Sequence, residues 1–203
     1  QLAYDANAQK VVNISRELTG SGQQYGRVGT VSGTGISWGT EANFLANTQT
    51  SYWQGQITYD ANAEKVVISY TKDANNYMYV RTGTIHSGTS LSWGSETAAI
   101  SSTCRNGHIS YDSTAQKSIF TYGLSSEGYD IRGLVGTVSG SAISFGTTSA
   151  ASSTTNPSTP GPRLVYNPDT NTTIMISNLG SEGLKMFQGT ISGTDLTWDS
   201  GET

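Results

Sequence analysis

Hydrophobic and polar positions along this chain follow the two-residue period of β-strands, and no stretch follows the 3.6-residue period of a helix. "SLSWGSE" from Ser90 sends Leu91 and Trp93 one way and Ser90 and Ser92 the other, as in a strand with one buried side. "KVVISY" from Lys65 and "KSIFTY" from Lys117 are almost continuously apolar, β-branched or aromatic. Such a run fits a strand covered on both faces, although period alone leaves a short helix open. Turn signals stand between these pieces. The Asp of "DANAEK" can accept a backbone N–H two residues on, and Ser-Gly-Thr supplies the Gly that positive φ needs. With 24 Gly in 203 residues, long helices are disfavoured and the chain is predicted to be all-β.

The pattern repeats. Tyr4-Asp5, Tyr59-Asp60, Tyr111-Asp112 and Tyr166-Asn167 each open a copy, at spacings of 55, 52 and 55 residues. Lys10, Lys65, Lys117 and, in the divergent last copy, Thr172 follow at the same phase. A Gly-Thr pair comes next at Gly29, Gly83, Gly136 and Gly189, and then an aromatic at Trp38, Trp93, Phe145 and Trp198. Four strands in a unit of about 50–55 residues, repeated head to tail, predict a β-propeller of four four-stranded antiparallel blades. The whole chain, 1–203, then forms a single repeat domain, with copies at approximately 1–50, 51–104, 105–158 and 159–203. One blade cannot bury both its faces, so Trp38, Trp93, Phe145 and Trp198 are expected to be packing between blades. A closed ring of four is the favoured arrangement, because only part of one inter-blade connection would be missing where the ends meet. A non-closing stack or a two-sheet sandwich is the alternative.

Composition narrows the function. Charged residues are only 13% of the chain, the net charge is −4 and the pI is about 5.0, so there is no basic stripe for nucleic acid. No apolar run approaches the roughly 20 residues of a membrane-spanning helix. No signal-sequence pattern opens the chain, although a processed end at Gln1 would look the same. Cys104 is the one cysteine, which rules out an intrachain disulfide.

The repeated phrase "YDANAEKVVISYTKD", followed by "SGTSLSWG", resembles the repeats of bacteriophage virion proteins, particularly tail fibres and related appendages. The resemblance covers all four copies, and the last departs most, with Asn167, Thr172 and Asp199 in place of Asp, Lys and Gly. It implies a place on the virion surface, outside the cell, and attachment to a host glycan or receptor. Other virion proteins would be partners, and a homo-oligomer would be consistent with a fibre. It brings no catalytic residue and no cofactor.

Residues shared by every copy are best explained by folding, so binding residues are sought where the copies differ. Tyr52 and Trp53 form the one adjacent aromatic pair outside the repeated positions, and suit stacking on a sugar ring. Arg105 and Asn106 occupy the comparable connection in the next copy and could bind carboxylate or hydroxyl groups of a sugar. Each also has a bland reading, as a hydrophobic cap or a solvated loop. His86 is one extra residue in its hairpin and fits a β-bulge. Cys104 and His108 lack the second pair that a zinc site needs. The recurring acids Asp5, Asp60 and Asp112 sit at turns, and no carboxylate pair suited to glycoside cleavage is evident. The reading is therefore a non-enzymatic attachment module. A secreted or cell-surface lectin-like propeller, an architectural virion module and a glycosidase are the alternatives.

Overall fold

The computed structural model describes residues 1–17, 22–45, 55–72, 74–125, 128, 130–153 and 161–202. Each repeat folds into one antiparallel sheet. The first sheet holds β1 (Leu2–Asp5), β2 (Lys10–Arg16), β3 (Gln24–Ser32), β4 (Gly35–Trp38) and β5 (Ala42–Leu45). The second holds β6 (Gln56–Asp60), β7 (Lys65–Thr71), β8 (Met78–Ile85), β9 (Leu91–Trp93) and β10 (Thr97–Ile100). The third holds β11 (Cys104–Asp112), β12 (Lys117–Leu124), β13 (Asp130–Ser139), β14 (Ala142–Phe145) and β15 (Ser149–Ser152). The fourth holds β16 (Arg163–Asn167), β17 (Thr172–Asn178), β18 (Leu184–Ser192) and β19 (Asp195–Trp198). A 3₁₀ turn lies at Gly180–Glu182.

The expected fourth strand proves to be interrupted. In the first sheet β3 pairs with β4 at Gly29–Trp38 and then, along the same strand, with β5 at Gly26–Ala42. The segments read as inter-blade connections therefore begin with a strand. They can do so because "GTE" after Trp38 steps out of the ladder for three residues and returns. Among the described residues the fourth sheet has a single bridge, Met186–Glu202, at this place. His86 causes no bulge in the ladder. The register from Gly83–Trp93 to Ile85–Leu91 is regular, and the extra residue lengthens the hairpin loop, which is closed by His86 N–H to the Ser90 carbonyl at 2.9 Å.

The Gly of each Gly-Thr pair has a common cause. It lies in register opposite the aromatic, at Gly29–Trp38, Gly83–Trp93, Gly136–Phe145 and Gly189–Trp198. At Gly29, Gly83 and Gly189 an added Cβ would stand 2.7–2.9 Å from the indole, which lies flat across the sheet at this point.

Neighbouring sheets pack face to face in chain order, and three apolar clusters fill the three interfaces. Both faces of the two middle sheets are covered, so β7 and β12 are buried along almost their whole length, as their unbroken apolar runs predict. The outer sheets are covered on one side. There β2 buries Val12 and Ile14, and β17 buries Thr173, Met175 and Ser177, in alternation with more open positions. Leu2, Tyr4, Val31, Ile36 and Trp38 of the first sheet, and Val165, Ile176 and Leu184 of the fourth, remain exposed. The first and fourth sheets thus leave their outer faces to solvent, where the favoured closed ring would have covered them. Of the four repeated aromatics, Trp93, Phe145 and Trp198 enter the interfaces, whereas Trp38 does not.

Candidate functional site

The Tyr-Asp turn places one tyrosine per unit. Asp5 Oδ1 accepts the N–H groups of Asn7 and Ala8 at 2.9 Å each, and Asp112 Oδ1 accepts those of Thr114 and Ala115 at 2.9 and 2.8 Å. Asp60 accepts from Ala63 at 2.9 Å. Gln9, Glu64, Gln116 and Asn171 close the turns with φ near +53°, +54°, +56° and +52°. These acids are buried and committed to the backbone, which explains why they recur. Burial raises the Asp60 carboxyl above its ordinary value, against the opposing pull of the Ala63 and Asn62 N–H groups, the Tyr111 hydroxyl and Lys117.

With the turn held, Tyr111 and Tyr166 reach back to the turn of the preceding unit. The Tyr111 hydroxyl accepts the Asn62 N–H at 3.1 Å, and the Tyr166 hydroxyl lies 2.6 Å from the Thr114 hydroxyl. Burial, and then the neighbouring Asp5, hold the Tyr59 phenol above its ordinary value. The first strands of the sheets, β1, β6, β11 and β16, consequently lie side by side as the inner strands of the stack. Between them opens a shallow cavity of about 360 Å³, lined among others by Tyr4, Thr58, Tyr59, Ala61, Tyr111 and Ser113. Its wall offers aromatic rings and hydroxyl groups and no cation, a surface suited to the faces and hydroxyls of a neutral sugar. The repeated tyrosines looked like framework because every copy has one. The signal for a groove is their phase, but only the packing of inner strands turns three of the four equivalent residues, Tyr4, Tyr59 and Tyr111, into a single lining.

The expected loop site looks different. Tyr52 and Trp53 lie outside the described residues. Arg105 and Asn106, expected on a connection, are instead in strand β11, where they pair with Gly123 and Tyr122. A register irregularity between Asn106 and Ile109 lets the strand run on past the point where the turn composition suggested a loop.

Cys104, His108, Glu96 and Glu41 lie outside the groove. Burial pushes the Cys104 thiol up to about 12, so it is not a thiolate, and it sits in the same core cluster as Met78 and Ile109. Burial, and then the charge of Arg163, lower the His108 imidazole below its ordinary value, against a backbone hydrogen bond to Leu164. Glu96 gathers Lys72, Tyr70 and Arg81 beside the break between β9 and β10, and Glu41 pairs with Arg27 at the equivalent place in the first sheet. Burial opposes the charged form of Glu96. The hydrogen bonds from Lys72 and Tyr70, with the charges of Lys72 and Arg81, nevertheless hold its carboxyl below the ordinary value. Among the described residues no three His, Cys, Asp or Glu side chains come together as a metal site would require. No family model and no curated protein sequence matches the chain.

Proposed function

We propose that this chain is a non-enzymatic attachment module of a virion appendage, which binds a host-surface glycan. Its units are read as propeller blades, packed around their inner strands in an arc. The observation that supports binding is the tyrosine-lined groove on those inner strands. The repeat resemblance supports the virion and its extracellular setting. A contact between two aromatic side chains is worth about 0.5–1.5 kcal/mol beyond area burial, and a sugar ring stacked on a tyrosine is taken to be of the same order. Single-site affinity would therefore be weak, and many copies on one particle would raise it by avidity. Tyr52 and Trp53, with Arg105 and Asn106 of β11, supply a second set of candidate contacts, in segments whose sequences differ between the copies.

A glycan array and whole-cell binding test the reading. Tyr4→Ala should weaken binding about tenfold, since Tyr4 is exposed and its loss leaves the interfaces intact. If only Tyr52→Ala and Trp53→Ala reduce binding, the site belongs to the variable loops. No binding to any host glycan or cell would refute attachment and favour an architectural role.

A further inference from the structure

The three interfaces share one joint, and its two halves are distinguishable. One half is a plug made of the repeated aromatic, the aliphatic residue two before it and the hairpin tip; the other half is a socket on the preceding sheet. At the first interface a Cβ on Gly26 would stand 2.6 Å from the Trp93 ring and 2.8 Å from Leu91. At the third, a Cβ on Gly133 would stand 2.8 Å from Trp198 and 2.5 Å from Leu196. At the second, the residue in register is Val80, and the plug carries the smaller Phe145. Socket and plug therefore match in volume, Gly with Trp and Val with Phe. The hairpin tip makes a second requirement. A Cβ on Gly39, Gly94 or Gly146 would stand 2.4, 2.6 or 2.2 Å from the carbonyl oxygen of Thr89, Ser141 or Thr194 in the following unit. Only a residue without a side chain lets that backbone in.

The two outer faces of the stack differ by these criteria. The fourth sheet has Met186 where the sockets have Gly, Val and Gly, and Asp199 where they have Gly. Asp199 keeps the same backbone bond to the Gln188 carbonyl, and its Oδ1 also accepts the Gln188 and Gly201 N–H groups at 3.0 Å each. This socket is filled by its own side chains. The first sheet, by contrast, has a complete plug with nothing to receive it. Ile36 is 47% exposed where Leu91, Ile143 and Leu196 are 8, 7 and 5% exposed, and Trp38 is 42% exposed. Thr34, the counterpart of Thr89, Ser141 and Thr194, is exposed, as is Tyr4, free to reach back to a turn as Tyr111 and Tyr166 do.

From this asymmetry we infer that the outer face of the first sheet is a docking surface for one further unit of the same repeat. That unit carries glycine at both socket positions, and the fourth sheet is closed to such docking by Met186 and Asp199. The occupant is specified by volume and backbone access, which a second copy of this chain does not satisfy through its own fourth sheet.

The socket can be rebuilt on the protein itself. M186G/D199G should associate head to tail at least tenfold more tightly than the unchanged chain in sedimentation velocity, and adding Trp38→Ala should return it to monomer. Far-UV circular dichroism checks that each variant is folded. Should M186G/D199G not fold, W38F/M186V/D199G copies the Val80–Phe145 pair and has the same expected association. A folded variant with a rebuilt socket that stays monomeric overturns the inference. So does a strong Trp38-dependent dimer of the unchanged chain, which would make a second copy the occupant.

Discussion

Trp38 and Trp93 occupy the same place in two successive repeats, so replacing each with alanine asks what the interface contributes. Trp93 lies over Gly83 of its own sheet and against Gly26 of the preceding one, with Phe44 edge-on at 5.3 Å between ring centroids. Its indole N–H donates to the Ala42 carbonyl at 2.9 Å, across the interface. Trp93 is partly buried and packed against the core; a Trp→Ala change in a packed core costs about 3–5 kcal/mol, of which the lost hydrogen bond is about 1 kcal/mol. Trp38 keeps only the contact with its own sheet, so Trp38→Ala should cost about 1 kcal/mol. For a chain of this size each kcal/mol shifts Tm by about 2–4 °C. Trp93→Ala should therefore lower Tm by about 6–20 °C, and Trp38→Ala by about 2–4 °C. Thermal unfolding followed by circular dichroism reads both. Because stacked units can separate one at a time, the first transition is the one to compare. Equal shifts in the two variants would refute the reasoning, since Trp38 would then be covered as Trp93 is.

Gly146→Ala would drive a methyl group to 2.2 Å from the Thr194 carbonyl, and should cost about 1–3 kcal/mol in urea unfolding through displacement of the fourth sheet. Glu96 carries a pH signature. Its folded pKa lies below the ordinary 4.5, so its contribution is present in full above that pH and is lost as pH falls through the folded value. Glu96→Gln should flatten that acid limb of the stability profile, and an unchanged limb would assign it to other carboxylates.

Strand after strand was legible in the sequence because the evidence for each is local. β7 and β12 announced themselves by unbroken apolar runs, β9 by strict alternation, and the Tyr-Asp turns by an acid placed to accept nearby N–H groups. Of the recurring aromatics expected as packing groups, Trp93, Phe145 and Trp198 enter interfaces and Trp38 stays exposed. The split outer strand was missed because Ala42–Leu45 and its equivalents return to the ladder after a break, and pairing across a break leaves no period in the chain. Arg105 and Asn106 were placed on a connection for the related reason that a strand with an irregular register loses its alternation. The groove was hidden for another reason: Tyr4, Tyr59 and Tyr111 are more than 50 residues apart and become neighbours only when inner strands pack.

By itself the sequence determined that each repeat is a sheet, since side-chain period, turn chemistry and the Gly–aromatic pair act within one unit. Whether the sheets form a ring or an open series was decided in three dimensions. Closure depends on whether the first and last faces fit each other, and that is a matter of volume between residues far apart in the chain, Trp38 at one end and Met186 and Asp199 at the other.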